Sequence, residues 1–498
     1  MGRVKDCVGH QNLKTVTRSA LLAIRCRNML EAHPMSSPSV VTRIAPSPTG
    51  YMHIGTARTA LFNYLFAKRL GGKFLIRIED TDRERSTEGA VAAIFEGMAW
   101  LGLEADEEPI FQHTRADRHR EVVEDMLARG GAYRCYMTTE ELEAERTLAR
   151  AEGRSVHSPW RDHAGTLPDK PFVVRLKAPR EGQTVLRDLV KGDIVFENNQ
   201  LDDLILLRSD GAPTYNLAVV ADDHDMHVTH VIRGDDHVSN GARQSLIYQA
   251  LGWDLPVFAH IPLIHGPDGA KLSKRHGAQA VGEFAEMGYL PEAMRNYLAR
   301  LGWGHGDDEL FSDQQAADWF DIKDVVSSPA RLDWDKLNFI NRHYIREAGD
   351  LRLAGLIAPV LQARGIPSDG ALINRLISVI PLIKEGASTL IELANLVGFA
   401  LTADDAPLDP KTAGLLTAEI SERLARLRDT LRDVEDWTVP TLEQLIRDFA
   451  AAEQVGIGKF GPALRGVMGK GSPAPDLAST LVTFGREGSL ARLSFALD

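Results

Sequence analysis

Two stretches of the chain carry side chains suited to a polyphosphate. In PSPTGYMHIGTARTA, His53 stands two residues before Gly55, where a turn-rich cluster gives way to a periodic apolar run. A helix start presents unpaired amide N–H groups and the positive end of the backbone dipole, and so favours an anion. Gly55 lets a polyphosphate approach the backbone there. His53 can donate a hydrogen bond to a phosphate whose charge rises in a transition state. In GPDGAKLSKRHG, Lys271, Lys274 and Arg275 share a loop flanked by glycines, and such cations can neutralise a developing pyrophosphate. A lysine-rich run taken alone is usually a solvated surface, and a lone histidine is usually structural. The two in combination favour phosphate chemistry.

The elements that must position these groups follow from periodicity and turn residues. Val40 to Ala45 reads as a short buried strand stopped by Pro46 and Pro48. Apolar residues at Ala57, Ala60, Leu61, Tyr64 and Leu65 then keep the helical period, and Gly71 and Gly72 end that helix. KFLIRIED reads as a second strand. Strand, helix and strand within about forty residues make a parallel crossover unit. No G-x-G-x-x-G is present in it, so it is not an ordinary dinucleotide fingerprint. Ligands of open parallel sheets sit at the carboxyl ends of the strands. Arg43 lies near the first such end, Glu79 at the second, Arg233 after VTHVI, and the lysine-rich loop after HIPLI.

After Gln112 the texture changes. A charged helical region leads to TTEELEAERTLARAEG, where Thr138 to Glu141 form a capping box. PFVVRLKAP, VFENNQ and DDLILLRSDG read as short strands, and DMHVTHVIRGDDH and AHIPLIHGPDG as further buried ones. From about Leu290 the pattern is helical. The fold class expected is α/β, a parallel-sheet domain interrupted by a mixed α/β insertion and followed by an all-helical half.

The chain has 498 residues, enough for several domains, with ordinary hydrophobic (44%) and charged (25%) fractions. No apolar run approaches the ~20 residues of a membrane helix, so no membrane partner is expected. A net charge of −12 argues weakly against nucleic acid, but RNA contact depends on local basic surface. Cys7, Cys26 and Cys135 are too few and scattered for a disulfide framework, which favours a reducing compartment. Residues 1–38 are basic and lack a long apolar core, so they make a poor secretory signal. An organelle transit peptide is one reading; a disordered extension, or translation from Met35, is preferred.

HIGT and KLSKR resemble the two signatures of class I aminoacyl-tRNA synthetases. RIAPSPTGYMHIGT, RIEDTD, GAPTYNLAVVADD and HVIRGDDH resemble those of the bacterial-type glutamyl-tRNA synthetases. RLDWDKLNFINRHYIRE and KFGPALRGVMG extend the likeness into the helical half, so it runs from about Val41 to the C-terminus. The resemblance implies ATP-dependent ligation of L-glutamate to tRNA(Glu) through glutamyl-adenylate. It implies a Rossmann-like catalytic domain in two halves, 39–111 and 219–255, around an acceptor-binding insertion at 112–218. A stem-contact region with the KLSKR loop follows at 256–345, and a helical anticodon-binding domain at 346–498. ATP would be bound by His53, Gly55, Thr56, Lys271, Ser273, Lys274 and Arg275, with His53, Lys271 and Lys274 catalytic. Arg43, Ser47, Glu79, Tyr215 and Arg233 would surround the amino acid. Glutamate has two carboxylates and one ammonium, for which two arginines and one carboxylate are the minimal complement. Arg233 is assigned to the side-chain carboxylate and Glu79 to the ammonium. Simpler roles for them are an Arg233 ion pair with Asp235 or Asp236 and core packing for Tyr215.

The chain departs from the family pattern at three points. Thr56 stands where the fullest nucleotide signature has a second histidine, a mark of the glutamate branch. Many members hold zinc in the insertion, but here Cys135 is followed by Met137 where a second cysteine would fall, and HSPWRDHAG supplies His163 without a cysteine. Two ligands cannot close a site that needs four, so no zinc is expected, and Mg²⁺ is expected to arrive with ATP. In LIKEGASTLIEL, Gly386 stands near the place of an arginine that helps the family select the third anticodon base, with Lys384 the nearest possible substitute. The enzyme is therefore expected to accept tRNA(Gln) as well, and to work in the cytoplasm as a monomer. Rival readings are a paralogue that glutamylates a modified tRNA base, a glutaminyl enzyme, and a non-catalytic tRNA-binding protein. The helical half argues against the first, RIEDTD and the helical half against the second, and the set His53, Glu79, Arg233 and Lys274 against the third.

Overall fold

The computed structural model describes residues 39–81, 86–272, 280–367, 369–472 and 474–497. Residues 1–38, and with them the expected extension, lie outside this set. Strand β1 (Val41–Ile44), helix α1 (Ile54–Arg69) and strand β2 (Lys73–Ile78) form the crossover unit, and β1 pairs with β2 in parallel, Arg43 opposite Leu75. Gly72 cannot carry a side chain, since a Cβ there would stand 2.0 Å from the Val40 carbonyl oxygen. Helix α2 (Glu88–Trp100) leads to β3 (Ile110–Phe111), which pairs with β2.

Helix α3 (Ala116–Ala128), β4 (Ala132–Cys135), α4 (Thr139–Glu152), β5 (Val173–Leu176) and β8 (Ile205–Leu207) build the insertion around an antiparallel sheet ordered β4-β5-β8. The capping box at Thr138 and Glu141 is present. Between β5 and β8 runs a hairpin of β6 (Gln183–Asp188) and β7 (Gly192–Glu197). Sequence reading places this stretch within the insertion and finds only its second strand. The structure instead pairs β6 in parallel with β10 (Val257–Ile261), at the edge of the catalytic layer. The alternation in QTVLRD explains the location: Thr184, Leu186 and Asp188 are buried while Gln183, Val185 and Arg187 are exposed.

Helix α5 (Tyr215–Asp225), β9 (His230–Gly234) and α6 (Val238–Leu251) complete the layer, and β9 pairs in parallel with β10. Thr229 joins β9 to β1. Its N–H donates to the Val41 carbonyl (3.0 Å), and the Val41 N–H donates to its hydroxyl (2.9 Å). From Pro291 onward helices dominate. Leu424, Leu427, Leu442, Ile446, Phe460 and Leu493 form one continuous core at the C-terminal end. Among the described residues no helix is long and apolar enough to cross a membrane.

The acidic run ADDHD on α5 clamps this helix on two sides. Asp222 accepts from Gln112 (2.9 Å), Arg115 and His119 (2.9 Å), and Asp225 accepts from Arg115 and Arg118. Asp223 turns to the sheet. It accepts from Arg43 Nε (3.0 Å) and Nη2 (3.1 Å) on β1 and from Arg77 Nη1 on β2. Burial alone would raise the Asp223 pKa, but the two guanidiniums outweigh it and hold it at about 2. The folded value lies below the unfolded ~3.9, so the contribution to stability is complete above that value and is lost as pH falls towards the folded one. Asp223→Asn should cost roughly 3–5 kcal/mol by leaving buried guanidiniums under-compensated, and should flatten the acid limb of stability. Denaturant titrations across acid pH check both outcomes.

Candidate active site

The site lies at the carboxyl ends of β1, β2 and β9. His53 is the N-cap of α1, with extended backbone (φ −75°, ψ 148°), and its Nδ1 accepts from the Gly55 N–H at 3.0 Å. That bond makes Nδ1 the acceptor, so in the neutral ring Nε2 carries the proton. Behind it, Arg58 donates to the backbone carbonyls of Leu301 (3.0 Å) and Pro262. Burial lowers its pKa to about 10, against an opposing pull from Asp235. Arg58 thereby braces the helix start against the region that follows β10.

Opposite this helix start stands a buried charge cluster. Arg77 bridges Asp223 to Glu79, with Nη2 donating to Glu79 Oε1 at 3.0 Å. Period-two alternation puts positions 77 and 79 on one side of the strand and its extension, and the Glu79 N–H is tied to the Pro46 carbonyl at 3.0 Å. Arg233 ends β9. Its Nε donates to His260 Nε2 (3.0 Å), its Nη2 reaches the His237 carbonyl (3.4 Å), and its Nη1 is buried without a partner. No ion pair joins it to Asp235 or Asp236; Asp235 takes Lys191 instead, at 2.9 Å. Burial pulls the Arg233 pKa down to about 10, which keeps it charged at neutral pH. Tyr215 is not core packing: it lines the cleft and its hydroxyl meets His237 Nδ1 at 3.2 Å. Burial pushes its pKa up to about 12.

One cleft of about 460 Å³ joins the two ends. Arg43, Ser47, His53, Gly55, Thr56, Glu79, Tyr215, Arg233 and Lys271 all line it. Ser273, Lys274 and Arg275 lie outside the described residues. Three guanidiniums, of Arg43, Arg77 and Arg233, face two carboxylates, of Asp223 and Glu79, within the cluster. The uncompensated positive charge sits on Arg233. Sequence reasoning missed Arg77, Asp223, His260, Asp188 and His237. The charge at position 77 inside an apolar strand, and the ADDHD run, were the signals that could have revealed the first two.

With this geometry in view, the comparisons define a class. Residues 39–339 match the catalytic domain of class I tRNA synthetases (E and Q), and residues 352–497 match an anticodon binding domain. The chain is 66% identical over 468 residues to the glutamate–tRNA ligase of Phenylobacterium zucineum, covering 93% of this chain and 99% of the relative. It is 61% identical over 466 residues to the one of Caulobacter vibrioides, with the same shares covered. The crystal structure of a glutamate tRNA ligase from Elizabethkingia meningosepticum in complex with its amino acid superposes with TM-score 0.80 at 31% identity, covering 92% of this chain and 99% of that one. The chain belongs to the bacterial glutamate–tRNA ligase family.

Burial raises the Glu79 pKa, while Arg77 and Arg43 oppose the rise. Glu79 therefore gains its proton above the ordinary carboxylate range. An amino-acid ammonium docked on it should bind less well as pH falls from neutral to mildly acid, because a neutral carboxyl no longer pairs with it. Calorimetric titration of the amino acid across that range should show the decline in the wild type and its absence in Glu79→Gln. Equal slopes in the two proteins would remove Glu79 from this role.

Proposed function

We propose that this cleft activates L-glutamate with ATP and passes it to tRNA(Glu). The observation that carries the reading is Arg233, a buried guanidinium that forms no ion pair among the described residues and keeps Nη1 unpaired. Glutamate carries one net negative charge, which complements the single uncompensated positive charge of the cluster. Its side-chain carboxylate takes Arg233, and its ammonium takes Glu79 beside Tyr215. Arg43 gives Nε and Nη2 to Asp223, which leaves Nη1 for the substrate. Ser47 lines the same end.

The α-carboxylate oxygen attacks the α-phosphorus of ATP, and the bond to pyrophosphate breaks. His53 donates from Nε2 to the phosphates beside Gly55 and Thr56. Lys271 lines the same cleft; with Ser273, Lys274 and Arg275, which lie outside the described residues, it is assigned to the leaving pyrophosphate, where positive charge helps most as negative charge grows. The terminal ribose hydroxyl of the tRNA then attacks the acyl carbon and releases AMP. Mg²⁺ would arrive with ATP, held on the phosphate oxygens and water, and would neutralise phosphate charge there.

The chain also charges tRNA(Gln) in this reading. Gly386 ends a short turn (Lys384–Gly386) and has no side chain with which to read a base. The Lys384 ammonium is engaged by the Ala348 carbonyl (3.1 Å) and Asp350 (3.0 Å), so it does not take over. In the insertion, Cys135 is buried with its sulfur 3.3 Å from the Ser158 hydroxyl, and Tyr136, Trp160, His163 and Phe172 pack ring to ring beside it. These contacts support an insertion held by packing rather than zinc, and a free thiol suits the cytoplasm.

Parallel charging of purified tRNA(Glu) and tRNA(Gln) with glutamate and with glutamine tests the reading. The wild type should attach glutamate to both tRNAs. Arg233→Ala should lose most activity with glutamate, since an unpaired buried charge costs roughly 3–5 kcal/mol, and its preference over glutamine should narrow. Unchanged discrimination in the variant would overturn the assignment, and a tRNA(Gln) signal no greater than that of an unrelated tRNA would end the permissive reading. Elemental analysis of the purified protein should find no stoichiometric zinc; one tightly held zinc per chain would contradict the insertion as read.

A further inference from the structure

Behind Arg233 lies a row of buried polar groups that does not touch the cleft. The parallel register sets His260 on β10 directly opposite Arg233 on β9, and sets Asp188 on β6 opposite Phe258, two residues from His260. The side chains of Asp188 and His260 are fully buried, with Asp188 Oδ2 2.6 Å from His260 Nδ1. An ionised carboxylate only accepts, so Nδ1 carries the ring proton. Nε2 is then a lone pair, and it accepts the Arg233 Nε–H at 3.0 Å. Asp188 is itself fixed by the backbone N–H groups of Val190 (3.0 Å), Lys191 (2.9 Å) and His260 (3.0 Å).

We infer that His260, held in one tautomer by Asp188, is the positioning residue that sets the guanidinium plane of Arg233 and so the selectivity for a side-chain carboxylate. The inference rests on the reading that Arg233 receives that carboxylate. Packing leaves the guanidinium little freedom of its own. Phe258 lies under it, 5.7 Å from its centre, and that ring is stacked with His260 (6.1 Å, 8°). On α6, a Cβ at Gly241 would meet Leu186 at 2.9 Å, His260 Cε1 at 3.3 Å and Arg233 Nη2 at 3.4 Å. The absence of a side chain at Gly241 lets the helix lie close over the pair.

The imidazole does something a second carboxylate could not. A carboxylate placed directly on Arg233 would orient it and cancel its charge, and the site would then lose its preference for a charged over an amide side chain. A neutral ring between Asp188 and Arg233 transmits direction while leaving the positive charge for the ligand. Burial lowers the His260 pKa, so the ring stays neutral in the working range.

Steady-state aminoacylation of tRNA(Glu) with three variants tests this. Gln at position 260 can offer its carbonyl oxygen where Nε2 stood, Leu removes the acceptor, and Asn at 188 turns an amide donor towards Nδ1. The last change forces the proton onto Nε2, against the Arg233 Nε–H. His260→Leu and Asp188→Asn should raise the glutamate KM about ten- to hundredfold, the loss of one hydrogen bond to a charged group. The ATP KM should stay unchanged, and the preference for glutamate over glutamine should narrow. His260→Gln should recover most of both. Wild-type glutamate KM in His260→Leu and Asp188→Asn would overturn the inference, as would a fall in kcat alone or failure of His260→Gln to rescue. If His260→Leu does not fold, as judged by its melting temperature, the contrast between Asp188→Asn and His260→Gln decides alone. Arg233→Ala, assayed alongside, separates the two claims. If it loses discrimination while the other variants keep it, the positioning role fails and the Arg233 reading stands. If it retains discrimination, the Arg233 reading itself fails.

Discussion

Asp223 is the constraint on which the site depends. One buried carboxylate accepts from arginines on two neighbouring strands, and so fixes α5 against β1 and β2 at the end where the cleft opens. An ion pair this deep is a poor source of net stability, because desolvation offsets much of its attraction. Its value here is positional. Arg77, held by Asp223, in turn holds Glu79, while Tyr215 stands at the start of the same helix that carries Asp223. Four groups from three elements are thereby brought to one place by a single acceptor.

The polarity of hydrogen bonds does the remaining alignment. The two ring nitrogens of a histidine differ once one of them is committed, and both ends of the cleft use this property. His53 commits Nδ1 to the Gly55 N–H, and Nε2 becomes the donor. His260 commits Nδ1 to Asp188, and Nε2 becomes the acceptor. The same side chain thus serves opposite ends with opposite polarity. In each case the committing partner is the backbone or a backbone-anchored carboxylate, so the tautomer follows from secondary structure.

The catalytic layer grows outward in the same economical manner. β10 carries His260 in register with Arg233, and the β6–β7 hairpin caps the layer on that side. This hairpin belongs by sequence position to the insertion, yet by pairing to the sheet. It therefore links the insertion's connections to the residue behind Arg233. Asp188, at the end of β6, shapes the hairpin turn through Val190 and Lys191 and orients His260 with its other oxygen.

Much of the fold and much of the site was legible in the sequence alone. Strand ends, the helix start at His53 and the helical half follow from local periodicity, turn residues and caps, which neighbouring residues determine by themselves. The motifs that mark Arg43, Glu79, Tyr215 and Arg233 are likewise contiguous. The partners of these residues were not legible. Arg43 and Asp223 are separated by 180 positions, and Asp188 and His260 by 72. No local pattern distinguishes Asp223 from its neighbours in ADDHD, although one faces the sheet and the others face α3. Asp188 reads as a polar end to a short alternating strand until the sheet order brings it beneath β10. Which charges are compensated, which histidine nitrogen carries the proton, and which arginine is left with its charge unmet depend on strand order and register. Those are set by packing across the whole layer, so only the tertiary structure decided them.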